Sequence, residues 1–342
     1  MAVELKIAGE DDAVLWDKIV ESSPHGTIFH TWKCLKIIEK YSKTKLYPVM
    51  VLKDILPIGC IPLFLQKKIW MKLLFCPPPY IALPRLGPVL VNYDKLKQSK
   101  RESMLMEFQK KVDEFIFSEI KPDYLTLNSA SIEDARCYIW SGYYVEPTYN
   151  YIFRLDNELD IIWSNIKKNT RQDIQRAQKR GFSVREGNKE DMVRIYESMV
   201  KRYAEQNRKV NVPKEYLVEM YEALYPSNLR IFVVEQGNNF ITGSIDVYFK
   251  DKGMSWIGHA KADSHATDLV YWECLKWAYD NGYKYYAVMG AAGVERLYKA
   301  SSKFNPDLVV SFSARKYSSS VSKLLSDFIE KSAHVRNWLN KI

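Results

Sequence analysis

The apolar positions between Leu229 and Phe304 change spacing several times, and each change marks an element. Ile231-Phe232-Val233-Val234 is a continuous apolar run that ends at Gly237-Asn238-Asn239. Ile241 to Phe249 comes back, Asp251-Lys252-Gly253 turns again, and Met254 to Ala260 makes a third run. β-Branched and aromatic runs broken by Gly, Asn and Asp predict a strand meander. From Thr267 to Asn281 the spacing becomes helical, with Leu269, Val270, Leu275 and Ala278 on the apolar side. Asn281-Gly282 suits the C-terminal cap of that helix. Tyr285 to Met289 then reads as a buried strand that stops at Gly290.

The first half shows the same grammar. Val3–Ile7 predicts a strand, and Asp11–Glu21 and Trp32–Tyr41 predict helices. Leu46–Leu52, Ile58–Leu65 and Trp70–Phe75 follow as strands. Pro77-Pro78-Pro79 and Pro84-Arg85-Leu86-Gly87-Pro88 are loop, because repeated proline removes ladder donors. A long helix over Tyr93–Glu119 leads to a strand at Tyr124–Leu127, a helix at Ile132–Trp140 and a strand at Tyr143–Phe153. The second half repeats this order, from helices at Asn188–Gln206 and Pro213–Leu224 to a final strand at Leu308–Phe312. No motif recurs, so the repeat is architectural. The expected fold class is α/β (α+β): two tandem lobes, residues 1–156 and 157–342, each a mixed, mostly antiparallel sheet flanked by helices.

Between the lobes, residues 163–181 predict a basic bridging helix. Asn169 or Thr170 can cap it, and Gly181 suits its end. At about 100° per residue, Trp163, Ile166, Ile174 and Ala177 share one side, while Lys168, Arg171, Arg176 and Lys179 fall opposite. That face either binds an anion or is simply solvated. Residues 319–342 predict an amphipathic C-terminal helix, with Leu324, Leu325, Phe328, Val335, Trp338 and Leu339 beside Lys323, Lys331, Arg336 and Lys341. Its apolar stripe fits the protein's own core, a partner chain or a membrane surface.

Composition adds a few limits. With 342 residues, 47% of them hydrophobic and 27% charged, the chain can fill about two globular cores. The net charge of +9 favours an acidic partner such as phosphate, nucleic acid or an anionic membrane. Cys34, Cys60, Cys76, Cys137 and Cys274 stand far apart with no CxxC pair, which suggests buried, reduced thiols and a cytoplasmic location. No signal peptide opens the sequence, and no apolar run is long enough to span a bilayer. His25, His30, His259, His265 and His334 show no paired ligand spacing, so no metal is expected. Walker, GxGxxG and GxSxG motifs are missing.

Four stretches, in series, resemble the FemAB/FemX-like family of the GNAT acyltransferase superfamily. They are Ser23-Pro24-His25-Gly26-Thr27-Ile28-Phe29-His30, Trp163 to Gly181, Leu269 to Tyr286, and Leu297 to Phe304. The resemblance implies a pair of GNAT-like lobes and acyl transfer to an amine. Members add amino acids from aminoacyl-tRNA to cell-wall precursors, and others are looser N-acyltransferases. It further implies a catalytic lysine after Leu297-Tyr298. Ala300-Ser301 stand at the family's aromatic-lysine pair, with Lys299 and Lys303 on either side. The family's phosphate-binding lysine would correspond to Lys36.

In this fold class two adjacent strands part, and the acyl group lies between them. Here those are Met254–Ala260 and Tyr285–Met289, so Trp256 and Tyr286 would line the gap, with Tyr271 opening the helix beside it. Asp246 and His259 are candidates for positioning or deprotonating the amine, and Lys303 or Lys299 for stabilising the oxyanion. Lys36, Arg85, Lys168 and Arg171 are candidates for binding substrate. Coenzyme A-dependent members commonly carry a glycine-bearing loop before that helix. Lys261 to Asp268 has no glycine and two aspartates, which favours aminoacyl-tRNA over acyl-CoA as donor. No resident cofactor is expected. The expected function is N-acyl transfer to a phosphorylated or lipid-linked amine, with possible contacts to tRNA and to a membrane surface. The alternative is a non-catalytic module that binds an anionic ligand on the same scaffold.

Overall fold

The structure is a computed structural model that describes residues 2–68, 70–79, 81–83, 85–129, 132–258, 264–288 and 295–319. In chain order, β1 (Val3–Ile7) leads through α1 (Ala13–Ser22) and α2 (Trp32–Ser42) to the meander β2 (Lys45–Lys53), β3 (Leu56–Lys68) and β4 (Met71–Cys76). Short β5 (Val89–Leu90) pairs with β3. Then come α3 (Gln98–Phe115), β6 (Tyr124–Asn128), α4 (Arg136–Trp140) and β7 (Tyr144–Arg154). The second series is α5 (Leu159–Asn165), α6 (Lys168–Lys179), β8 (Phe182–Glu186), α7 (Lys189–Ala204), α8 (Lys214–Leu224), β9 (Leu229–Gln236), β10 (Asn239–Phe249) and β11 (Lys252–Gly258). It closes with α9 (Ser264–Asp280), β12 (Tyr285–Val288), α10 (Glu295–Ser302) and β13 (Asp307–Tyr317).

The chain divides into two units. The first runs to Pro147 and resumes at Ser311, and the second is Thr148–Val310. Strand order in the first is β1-β2-β3-β4-β6-β13, and in the second β8-β9-β10-β11-β12-β7. Each has an antiparallel series, then one parallel step across a helix, then an antiparallel closing strand. The parallel steps are Leu73↔Tyr124 between β4 and β6, and Lys252↔Tyr285 between β11 and β12. The architectural repeat is therefore present as a tandem α/β fold. A single cut near residue 156 does not describe it, because the closing strands are exchanged. β7 follows the first series but pairs with β12 at Tyr151–Arg154, and β13 follows the second but pairs with β6 at Ser313–Tyr317.

Local departures have local causes. The helix expected over 163–181 is two helices, because Ile166 is extended (φ −67°, ψ 138°) and the amide of Lys167 bonds the carbonyl of Lys303. Ile166, Ile174 and Ala177 are nonetheless buried, and Trp163 packs on Trp272 with ring centroids 4.6 Å apart. β8 lies in a stretch not assigned to a strand from sequence. It pairs with β9 at Phe182↔Gln236 through Glu186↔Phe232, and its alternation is masked by Ser183, Arg185 and Glu186. The C-terminal helix expected over 319–342 lies outside the described residues beyond Ser319. Among the described residues, no helix is long and apolar enough to cross a membrane.

Candidate active site

The second unit places polar side chains inside its core. On β10, Ser244, Asp246 and Tyr248 occupy alternate positions and so share one face of the strand. Asp246 is fully buried. Its Oδ1 accepts from the Ser244 hydroxyl, and its Oδ2 accepts from the Tyr286 hydroxyl at 2.5 Å and from that of Tyr248 at 3.4 Å. The Ser255 hydroxyl stands 3.4 Å from that of Ser244. Cys274 on α9 completes the enclosure. Removal from water raises the Asp246 carboxyl to about 6, against the opposing pull of its hydroxyl and thiol partners. Gly253 makes this possible. A Cβ there would lie 2.7 Å from the Tyr248 ring and 2.9 Å from that of Tyr286, so only a glycine lets both rings meet over the carboxylate.

A second polar group sits near the start of α9. Lys303 Nζ is 2.5 Å from Oδ1 of Asp268, whose side chain is buried. Burial raises the Asp268 carboxyl and Lys303 opposes that rise. Around the same helix end, His265 lies 3.4 Å from Asp173 and 3.2 Å from Arg180. Tyr271 joins the two groups. It is buried, and its ring packs 4.4 Å from Phe304. One helix thus offers Asp268 to the Lys303 cation near its start and Cys274 to the sealed Asp246 carboxylate farther along.

The structure brings some of the candidate residues together and keeps others apart. Asp246, Tyr286 and Tyr271 come together. Trp256 does not join them: it is the extra residue of a bulge, because Ile257 faces Ile245 while Ser255 faces Asp246, and it packs against Tyr216 on α8. The expected parting of the third and returning strands is corrected over Lys252–Ser255, which pairs in register with Tyr285–Val288. β11 continues three residues past that ladder, through Trp256, Ile257 and Gly258. His259 lies outside the described residues. Lys299 is exposed on α10. Lys168 is exposed at the start of α6, and Arg171 holds its Nε buried with no hydrogen-bond partner among the described residues.

Lys36 and Arg85 belong to the first unit. Lys36 is 3.0 Å from Glu39 and 3.6 Å from Glu10, so a phosphate would have to displace two carboxylates. Arg85 is half-buried, bonds the Ser311 hydroxyl, and has its pKa lowered by burial. Asp268, Ser244, Tyr248 and Ser255 were not singled out from sequence. The polar, polar, aromatic alternation of Ser244, Asp246 and Tyr248 inside an apolar strand was the available signal. The five cysteines are all buried and free, and burial raises Cys34, Cys76 and Cys137 to about 12, far from thiolate nucleophiles. Among the described residues, no group of three His, Cys, Asp or Glu side chains could hold a metal.

The meander, parallel step and crossover helix that hold this site coincide with a known domain. Residues 164–300 match the family described as acetyltransferase (GNAT) domain. The segment is similar to a GNAT domain. It contains Asp246, Tyr271 and Tyr286 and ends three residues before Lys303. No curated protein matches the sequence. The fold of the whole chain is similar to that of FemX, at TM-score 0.67 and 12% identity over 96% of this chain and 100% of that one. It is also similar to L-PGS from Bacillus licheniformis, at TM-score 0.54 and 11% identity over 97% and 99%. A tandem GNAT protein from the clavulanic acid biosynthesis pathway matches at TM-score 0.53 and 10% identity over 93% and 99%. At these identities the likeness is one of fold. The family likeness is confined to residues 164–300.

Proposed function

We propose that the protein is an N-acyltransferase that moves an aminoacyl or acyl group from an activated ester to an amine of a phosphorylated or lipid-linked acceptor. The observation that carries this reading is Lys303, held 2.5 Å from the buried Asp268 beside the crossover helix of the GNAT-like domain. A cation fixed in that way costs no reorganisation when negative charge develops on a carbonyl oxygen. In the reaction the amine nitrogen attacks the ester carbonyl, a C–N bond forms, and the ester C–O bond breaks. The amine proton leaves with the departing alcohol, so the step needs no oxidant or reductant.

Lys303 is assigned the oxyanion, with Asp268 as the residue that positions it. Asp246 has no exposed surface, so its role is to position Tyr286 and Ser244 rather than to touch the amine. Lys168 and Arg171 on α6 are assigned to donor or acceptor phosphate, and Lys299 is a solvent-facing alternative to Lys303. Residues 261–268, just before and at the start of α9, include no glycine to let backbone amides cradle a pyrophosphate, which supports an aminoacyl ester such as aminoacyl-tRNA over a coenzyme A thioester. The fold likeness to FemX and L-PGS, with the FemAB-like motifs, supports the same donor class.

The test incubates the full chain with charged tRNA or acyl-CoA pools and candidate amines, and searches by mass spectrometry for a new amide. Amide that forms with wild type and not with Lys303→Ala and Lys299→Ala together supports the reading. Ligand binding without amide in any pool would instead make the protein a binding module.

A further inference from the structure

The strongest unexplained surface lies in the first unit, at one end of its sheet. The hairpin of β3 and β4 turns at Trp70, whose side chain is 82% exposed. Beside it, Lys67 and Lys72 stand directly opposite in the ladder, an arrangement that costs stability between like charges. Lys72 is drawn aside to the carbonyl of Ile120 at 2.9 Å, while Lys67 and Lys68 stay exposed.

The ladder registers show what shares this end. Lys45 pairs with Leu65, two residues before Lys67, and Lys43 caps α2 just before it. Leu73 pairs with Tyr124, which places Lys121 alongside. Lys43, Lys45, Lys67, Lys68 and Lys121 are all exposed, and none forms an ion pair among the described residues. The acids at this end are largely occupied. Asp123 accepts the Lys72 amide, Glu39 accepts Lys36 and the Leu46 amide, and exposed Glu119 is outnumbered. Tyr317 also pairs with Tyr124, so β13 ends at this same edge.

We infer that this edge docks on an anionic phospholipid surface, with Trp70 seated among the headgroups and the five lysines above them. An indole on a projecting hairpin suits the interfacial depth that tryptophan prefers, and each nearby lysine adds electrostatic attraction. Single-stranded nucleic acid is favoured less, because base stacking uses aromatics set along a groove and Trp70 stands alone on a projecting tip. The docking holds whether or not the GNAT-like domain is active, so it is tested without turnover.

The experiment sediments the full chain with vesicles of phosphatidylcholine containing phosphatidylglycerol, and with phosphatidylcholine alone. The expected result is binding to the anionic vesicles only, weakened by salt. Trp70→Ser should lower the partition roughly tenfold. Lys67→Ala and Lys68→Ala should lower it about fivefold each. Ile55→Ser should leave it unchanged, because Ile55 is 89% exposed but sits at the opposite end of β3. Equal thermal midpoints would show that all variants are folded. Wild-type partition by Trp70→Ser, or no preference for anionic vesicles, overturns the inference. Loss of tRNA binding by the lysine variants, with vesicle partition intact, overturns it in favour of a nucleic-acid edge.

Discussion

Tyr286 on β12 reaches past β11 to bond Oδ2 of Asp246 on β10 at 2.5 Å. Two strands that do not pair are thereby tied through one carboxylate, at the point where Gly253 leaves room for the rings. The arrangement removes Asp246 from solvent and satisfies it with hydroxyls rather than with a cation.

That environment sets a pH dependence. The folded carboxyl titrates near 6, above its value in the unfolded chain, so the native state binds the extra proton between about pH 4 and 6. Its contribution to stability is present in full below the unfolded pKa and is lost as pH rises through 6. Asp246→Asn removes the titration. Urea unfolding across this window should show the wild type losing about 2–3 kcal/mol more than the variant as pH rises. Parallel pH profiles would show that Asp246 titrates normally.

The Lys303–Asp268 pair makes a different demand. Lys303→Ala leaves a buried carboxylate without its cation, and should cost about 2–3 kcal/mol, somewhat below a fully buried pair because Lys303 is partly exposed. Adding Asp268→Asn should recover most of that loss. A double-mutant cycle measures the coupling, and additive losses would mean that the two side chains do not interact.

The motif around His25 allows a sharper test. A Cβ on Gly26 would fall 2.0 Å from the carbonyl oxygen of Val20, a backbone atom that cannot swing aside. Gly26→Ala should therefore destabilise the first unit by more than about 3 kcal/mol, or prevent folding. Thermal denaturation reads this directly, and a wild-type midpoint would refute the close approach.

Much of the fold was legible because its signals are local. The turns at Gly237-Asn238-Asn239 and Asp251-Lys252-Gly253 bound β10, and Gly282, at φ 77°, follows the end of α9. What sequence did not reveal is non-local. Nothing in Tyr143–Phe153 says that this strand will pair with β12 rather than close the first sheet. A one-residue bulge at Trp256 changes which side chains share a face, so Trp256 and Tyr286 looked like neighbours and are not. Lys303 was read from a family likeness, but its partner Asp268 was read only as a repulsive charge, because the pairing spans two elements and becomes visible only when they pack.

The central claim is acyl transfer by the GNAT-like domain, and the most direct measurement is mass-spectrometric detection of amide product from aminoacyl-tRNA and a phosphorylated or lipid-linked amine. The account predicts an aminoacyl-amide with wild type, reduced at least about tenfold by Lys303→Ala. No amide from any aminoacyl or acyl donor, from folded protein that still binds the acceptor, would contradict it.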